Sequence, residues 1–305
     1  MSALFDVAVV DGGPAGLTAA VYVRRAGKSV IVLEKETFGG QITFSPKVEN
    51  IPGFTALSGN EFAEKLVEQA LEQGAEMDSC EVLSVEKDGE AFTLTTDGEP
   101  VRARAVILAT GARHRTLGLP GEEDFIGSGV SFCAVCDGAF YRGARVAVVG
   151  GGNSALQEAL LLSELAEKVI VVQNLDFLTG EGALQEQLYA RSNVEVILGT
   201  VVDAYLGDGE LAGIRVRREK DGSLSEIPVA GVFLAVGLIP QNEAFQNVLE
   251  LDERGYAASD ETCYSPTPGV FVAGDCRRKK IRQVTTAAAD GAVAALAACD
   301  YLDGR

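Results

Sequence analysis

A strand-like run that ends in a glycine-rich turn and opens a helix occurs twice in this chain, and that repetition restricts the fold more than any other feature. In the first copy Asp6-Val7-Ala8-Val9-Val10 leads into Asp11-Gly12-Gly13-Pro14-Ala15-Gly16; residues 14–26 read as a helix opened by Pro14, and Ser29-Val30-Ile31-Val32-Leu33 is a second strand ending at Glu34. In the second copy Ala144 to Val149 is the strand, Gly150-Gly151-Gly152-Asn153-Ser154-Ala155 the turn, Asn153 to Leu165 the helix, and Val169 to Val172 the next strand, about 140 residues further on. Strand, crossover helix and parallel strand make a βαβ unit. Two such units in 305 residues predict an α/β protein of two Rossmann-like, three-layer ββα nucleotide-binding domains, each with its own core.

The intervening segments fit this plan. Residues 61–73 read as an acidic amphipathic helix. Residues 81–106 alternate with period two around turns at Asp88-Gly89 and Asp97-Gly98, which predicts a β-meander; residues 195–233 look like its counterpart. Leu117-Gly118-Leu119-Pro120-Gly121 and Gly237-Leu238-Ile239-Pro240-Gln241 mark domain boundaries. The tail, from about residue 268, holds Gly274-Asp275 and a long Ala-rich helix, and reads as the return of the chain to the first domain.

Charge narrows the function. A net charge of -18 offers no broad basic surface for nucleic acid or for an anionic membrane. No apolar run approaches the roughly 18 residues of a membrane span, and no signal peptide is expected, so a cytoplasmic protein is predicted. In that compartment six cysteines do not form a structural disulfide framework. Cys80, Cys263, Cys276 and Cys299 are scattered and are expected to be reduced, buried small side chains.

Cys133 and Cys136 differ from these. They lie two residues apart in Phe132-Cys133-Ala134-Val135-Cys136-Asp137-Gly138, with an acid directly beside them. Zinc would lack ligands here, because there is no second CxxC and His114 is the only histidine. The pair therefore reads as a reversible disulfide. On a protein with two nucleotide-binding units it implies electron transfer between a bound cofactor and a thiol.

The two glycine turns are not equivalent. In the first, Gly13 and Gly16 stand where the backbone must approach a pyrophosphate and pack on the strand, but Asp11 replaces the first glycine. Aspartate tolerates left-handed geometry better than most residues. A carboxylate near pyrophosphate is unfavourable unless it points away. Glu34, at the end of the second strand, suits the ribose hydroxyls of an adenosine. In the second, an NADPH site requires arginines after the second strand and an NADH site an acid, yet the chain reads Gln173-Asn174-Leu175-Asp176-Phe177-Leu178-Thr179. Losing two or three charged hydrogen bonds, about 1.5–3 kcal/mol each, weakens binding roughly a thousandfold.

The motifs together identify a resemblance that covers nearly the whole chain. Gly13-Pro14-Ala15-Gly16, Glu34 with Gly39-Gly40-Gln41, Glu49-Asn50-Ile51-Pro52-Gly53, Ala109-Thr110-Gly111-Ala112, Cys133-Ala134-Val135-Cys136-Asp137-Gly138, Gly150 to Ala155, and Gly274-Asp275 with Arg282-Gln283 resemble, in order, the low-molecular-weight thioredoxin reductases. The resemblance implies a homodimeric flavoprotein with a split FAD domain, residues 1–116 and 245–305. It also implies an inserted NADPH-binding-like domain, residues 117–244, that carries the CxxC and rotates between half-reactions. It assigns FAD to Gly12, Gly13, Pro14, Ala15, Glu34, Lys35, Gly40, Gln41, Asn50, Ala109, Thr110, Gly111, Gly274, Asp275, Arg282 and Gln283, with Asp275 on the ribityl chain. It implies that Cys136 faces the flavin, that Cys133 attacks a thioredoxin-like partner's disulfide, and that Asp137 is the general acid/base. Gly150, Gly152, Asn153, Ser154, Gln173 and Asn174 form a degenerate second nucleotide site.

The departures from the family are specific. Its His-Arg-Arg run and a further Arg four residues on are here Gln173, Asn174, Leu175 and Thr179, so NADPH is not expected as donor. The chain resembles relatives reduced by ferredoxin or holding a second flavin. Arg277-Arg278-Lys279-Lys280 and Arg282 stand out on an otherwise acidic chain; such a charge run is usually a solvated face, and the sharper alternative is a docking patch for an acidic donor such as ferredoxin. Four other readings remain open: electron flow from partner dithiols to flavin, a redox sensor without turnover, a conventional NADPH-dependent reductase, and a flavin NADPH reductase that uses no thiols, against which the intact CxxC-Asp argues. No metal is expected.

Overall fold

The computed structural model describes residues 4–45 and 48–305, and the chain forms two compact units. One holds the described residues up to Ser45, with Ile51–Arg113 and Ile239–Arg305; the other holds residues 48–50 with His114–Leu238. The main segment of the second is thus inserted in the sequence of the first. Both are α/β, as the repeated βαβ pattern predicts.

The first unit begins with β1 (Leu4–Val10), α1 (Pro14–Arg25) and β2 (Val30–Glu34), followed by α2 (Gly59–Glu72) and β3 (Glu76–Ser79). The acidic helix starts at Gly59, two residues before its expected start, because Ser58 and Glu61 form a capping box: Glu61 N donates to Ser58 Oγ and Ser58 N to Glu61 Oε2. Strands β4 (Val82–Asp88), β5 (Ala91–Thr96) and β6 (Val101–Leu108) are the expected antiparallel meander, joined edge-on to the parallel strands in the order β3-β2-β1-β6-β5-β4. Val7 and Val9 pack on one face of β1, Ala8 and Val10 on the other, so both faces are buried and the strand reads as a continuous apolar run.

In the second unit, β7 (Ala112–His114) leaves the first and is followed by α3 (Glu122–Phe125), β8 (Val130–Ser131) and α4 (Ala134–Asp137). The second βαβ unit is β9 (Arg145–Val149), α5 (Asn153–Ser163) and β10 (Lys168–Val172). Then come α6 (Gly182–Tyr189), β11 (Val194–Ile197), β12 (Thr200–Asp208), β13 (Glu210–Arg218), β14 (Leu224–Pro228) and β15 (Gly231–Leu234). The second meander is narrower than its sequence pattern suggested. Only β12, β13 and β14 form it, whereas β11 and β15 join a parallel sheet in the order β11-β10-β9-β15-β8. Period-two alternation does not distinguish these neighbours, since β15 is buried throughout.

The chain returns through β16 (Leu238–Pro240), which pairs with β7, to β17 (Val270–Val272) beside β6 and to α7 (Val284–Leu302). Helix α7 lies closely on α1 because Gly291 leaves room for the carbonyl of Ala15. Among the described residues no helix is long and apolar enough to cross a membrane. Cys80, Cys263, Cys276 and Cys299 are free and buried.

One buried acid organises the start of the inserted segment. Glu122, 4% exposed, accepts from the backbone N–H groups of Leu117 (3.0 Å), Gly118 (2.7 Å) and Leu119 (3.3 Å) and from Tyr205 Oη (2.8 Å). Burial, then this bond, raises the tyrosine's titration. Because each buried donor left unpaired costs about 1–3 kcal/mol, Glu122→Ala is expected to lower stability by about 3 kcal/mol or more, and Tyr205→Phe by about 1 kcal/mol. Urea unfolding followed by circular dichroism measures both; equal midpoints for Glu122→Ala and the unmodified protein would contradict this role.

Candidate active site

The C-terminal ends of the parallel strands of the first unit lie level. Val10 stands opposite Leu33 and Leu108, and Leu108 opposite Val272. Hydrogen bonds carry the ladder one residue further, Asp11 N to Leu33 O (2.8 Å), Ala109 N to Val10 O (2.9 Å) and Ala273 N to Leu108 O (2.9 Å). The residues after each strand therefore converge on one edge, where ligands bind in open α/β sheets. The glycine turn, Glu34, Ala109-Thr110-Gly111 and Gly274-Asp275 all arrive there.

The turn takes the geometry that a dinucleotide loop requires. Asp11 adopts the left-handed conformation (φ 81°) and its Oδ1 accepts from Gly13 N at 3.0 Å. Gly16 leaves room for the Asp11 carbonyl, and a Cβ on Gly12 would lie 2.6 Å from Phe38. Gly40 packs on Gly13, its missing Cβ 3.2 Å from Gly13 Cα. Helix α1 has Pro14 at its first turn and no side-chain cap, which leaves its N-terminus open to an anion. Glu34, 4% exposed, accepts from Gly12 N and Glu36 N, each at 2.7 Å. Lys35 pairs loosely with Glu81, and Gln41 donates to Ala112 O (2.8 Å). Thr110 donates to Asn242 Oδ1 (3.0 Å). Asn50 is exposed and groups with the second unit.

Gly274 is left-handed (φ 81°), and it delivers Asp275, whose Oδ1 is buried without a hydrogen-bond partner. Burial raises Asp275 to about 6 against the pull of Lys279 and Arg282. A buried carboxylate oxygen with no donor fits a ligand that brings hydroxyls. Arg282 donates to Asp275 O and covers the Tyr256 ring at 4.2 Å, and Gln283 caps α7. The basic run is only in part the solvated face expected of it, and it is not a continuous basic patch. Arg277, 2% exposed, donates to both oxygens of Asp290 at 2.8 Å, and Lys279 donates to Asp290 Oδ2 at 2.9 Å. Two of the five cations are thus consumed by an internal acid thirteen and eleven residues away. Arg278 and Lys280 remain exposed.

In the second unit Cys133 and Cys136 form a disulfide across the first turn of α4. Ser131 connects it to the acid: its hydroxyl donates to Asp137 Oδ2 (2.6 Å) and accepts from Cys133 N (3.2 Å). The other Asp137 oxygen is buried and unpartnered. Burial pushes Asp137 up, and the Ser131 hydrogen bond pulls it down. Val135 (63% exposed) and Phe140 (43% exposed) present an apolar rim beside the pair.

The second glycine turn is closed by its own chain. Thr179 N (2.8 Å) and Gly180 N (2.9 Å) donate to Gly151 O. Gln173, 5% exposed, lies against Gly151, whose missing Cβ would sit 2.5 Å from its amide nitrogen, and it donates to Phe177 O. Asn153 donates to Glu181 Oε1 (2.9 Å) and its Oδ1 accepts from Glu181 N (2.7 Å). A carboxylate therefore stands at the N-terminus of α5, where a pyrophosphate would bind. Gly150 (φ 133°) and the α5 cap at Gly152 keep the dinucleotide turn; Ser154 and Asn174 are exposed.

Comparison with known proteins agrees with this geometry. The pyridine nucleotide-disulphide oxidoreductase family matches residues 5–291. The chain belongs to that family. It is 40% identical to a thioredoxin reductase of Listeria monocytogenes over 98% of this chain and 94% of that one. It is 39% identical to one of Treponema pallidum over 98% and 97%. A solved thioredoxin reductase from Streptococcus pyogenes superimposes over the full length of both chains with a TM-score of 0.94 at 37% identity. The chain is a thioredoxin reductase-like flavoprotein disulfide oxidoreductase.

Within this oxidoreductase, sequence reasoning missed Ser131 and Asp290. The first is a common residue two positions before Cys133, and only the fold turns it toward Asp137. Removing its hydroxyl lets Asp137 titrate higher still. The limb of the pH–rate profile that Asp137 governs is expected to move to higher pH in Ser131→Ala. Asp137→Asn should lose that limb and about 10²-fold in rate. The rate at which dithiothreitol opens Cys133–Cys136 reads both; a Ser131→Ala profile that superimposes on the parent's would exclude the coupling.

Proposed function

We propose that the protein is an FAD-dependent disulfide reductase that passes two electrons from flavin to Cys133–Cys136, and from the resulting dithiol to a thioredoxin-like partner, with a donor other than NADPH. Ferredoxin or a second flavin fits best as that donor. The observation that carries the reading is the Ser131 hydroxyl, which ties a half-buried acid to the backbone of the disulfide's own first cysteine.

The cradle at the edge of the first sheet supports FAD. The open end of α1 suits the diphosphate, Glu34 the adenosine ribose, and the unpartnered oxygen of Asp275 the hydroxyls of the ribityl chain. Bound there, the flavin supplies two electrons for the disulfide. Residues 1–116 with 245–305 are then the FAD domain, and 117–244 the domain that carries the redox pair. The Cys133 thiolate attacks one sulfur of the partner's disulfide and forms a mixed disulfide. The displaced partner thiolate takes a proton, and Asp137 is positioned to hold it. Cys136 then attacks Cys133 Sγ, which closes the pair and frees the second partner thiol. Val135 and Phe140 give the partner an apolar surface at that point. Homodimerisation follows from the same family reading. A cytoplasmic location accords with four reduced, buried cysteines.

The donor reading rests on residues 173–181. The positions that would bind a 2′-phosphate carry Gln173, Asn174, Leu175 and Thr179, and Gln173 is folded inward against Gly151. Glu181 adds a negative charge at the end of α5. NADPH as donor is a second reading, favoured by the intact turn at Gly150–Gly152. An anaerobic flavin spectrum discriminates the two. The flavin band is expected to persist with excess NADPH or NADH and to bleach with reduced ferredoxin. Rapid bleaching by NADPH would overturn the donor reading. In Cys136→Ser, flavin reduction without thioredoxin turnover is expected; full turnover would sink the disulfide route.

A further inference from the structure

The chain's one histidine touches the loop that carries the disulfide. His114 ends β7, and its ring lies on that of Phe132, with centroids 4.6 Å apart and planes 19° from parallel. Two rings at this separation attract each other beyond the area they cover. Backbone hydrogen bonds fix where the histidine stands: Gln241 N donates to Gly111 O (3.3 Å) and Arg115 N to Gly237 O (3.0 Å), on either side of β7. Among the described residues no hydrogen bond holds the imidazole itself, so the stack is what orients it. Phe132 in turn packs against the core cluster that contains Val130 and Leu211. It is therefore held between that core and the His114 ring.

The residues on either side of Phe132 are the two that meet the acid. Ser131, before it, donates to Asp137 Oδ2 (2.6 Å), and Cys133, after it, donates its N–H to Ser131 Oγ (3.2 Å). These three consecutive residues join β8 to α4, and Asp137 ends α4. A shift of the Phe132 ring moves the backbone of both neighbours, and with it the hydroxyl that holds Asp137. We propose that His114 is a positioning residue for the redox pair, which acts by pinning Phe132 and so keeps the Ser131 hydroxyl on Asp137 beside Cys133. The proposal rests on the reading of Cys133–Cys136 and Asp137 as the reacting groups. Its sign follows from the acid. Burial raises Asp137 and the Ser131 hydrogen bond lowers it, so loosening that bond lets Asp137 rise further. Tyr141 is the other titratable neighbour of Asp137. Partial burial keeps His114 itself neutral near pH 7, so the histidine acts through its ring and not through a charge. Arg113 and Arg115, which flank it, are exposed.

The test measures how fast dithiothreitol opens Cys133–Cys136 in the purified holoprotein across the pH range, with the freed thiols trapped by maleimide. His114→Ala uncovers Phe132. The limb of the profile that Asp137 governs is expected to move to higher pH, by up to about one unit, the full contribution of a ring pair on that scale. His114→Phe restores a flat ring and is expected to bring the limb back. Phe132→Leu is expected to move the limb as His114→Ala does, and the two changes together no further, because each removes the same contact. Should His114→Ala fail to fold, His114→Gln, which has no ring, takes its place with the same expectation. A role confined to stability would lower the urea midpoint and leave the limb where it was. A His114→Ala profile that superimposes on the parent's, or a displaced limb that His114→Phe does not restore, overturns the proposal and leaves the redox reading intact. A limb that persists in Asp137→Asn overturns both.

Discussion

A buried carboxylate, Asp290, holds the return of the chain against the first sheet. It receives the fork of Arg277, the ammonium of Lys279 and the N–H of Gly274, and its backbone carbonyl receives the thiol of Cys263. Two cations and one anion share a space from which water is excluded, so each depends on the others. Removing one member of such a group costs about 3–5 kcal/mol, because the remaining charges are left unpaired. Through the Gly274 N–H the cluster fixes a left-handed turn, and through that turn it presents the unpartnered oxygen of Asp275. The sheet edge is thus anchored through Gly274 by an ion cluster of the chain's own residues.

The two βαβ units show how one backbone plan can carry different chemistry. Both align parallel strands so that their C-terminal residues meet at an edge, and both place a glycine turn before an uncapped helix. In the first, the acid after the second strand is held by two backbone N–H groups in a fixed orientation. In the second, the equivalent position is an amide folded back on the turn, and Asn153 and Glu181 bridge the mouth. The hydrophobic pattern that builds the sheets is indifferent to these changes. The two units differ at their strand ends, while their sheets are built in the same way.

Much of this was legible because its physical causes are local. Strand–turn–helix periodicity, Pro14 at a helix start, and glycines where a Cβ would collide are each written in a few adjacent residues. The CxxC and its neighbouring acid are local too. What escaped depended on contacts between residues far apart in sequence. The run from Arg277 to Arg282 reads as a charged surface until Asp290, thirteen residues after Arg277 and eleven after Lys279, pairs with both. Ser131 has no mark until β8 and α4 place its hydroxyl between Cys133 and Asp137. Glu122 is one acid among forty-four, and only the fold wraps three backbone N–H groups around it. The limits of the second meander were lost because β11 and β15 look like any other short apolar strand.

The burial of the remaining cysteines has a practical meaning for chemical labelling. Burial pushes the thiol of Cys263 up to about 12 and that of Cys276 up to about 11, and raises Cys80 and Cys299. Alkylation requires thiolate and access, and all four lack both. Once Cys133–Cys136 is opened, a maleimide added under native conditions meets two half-buried thiols and four that do not respond. The stoichiometry of label taken up by the folded protein therefore counts the electrons delivered to the disulfide, one per thiol, without any cysteine having to be removed.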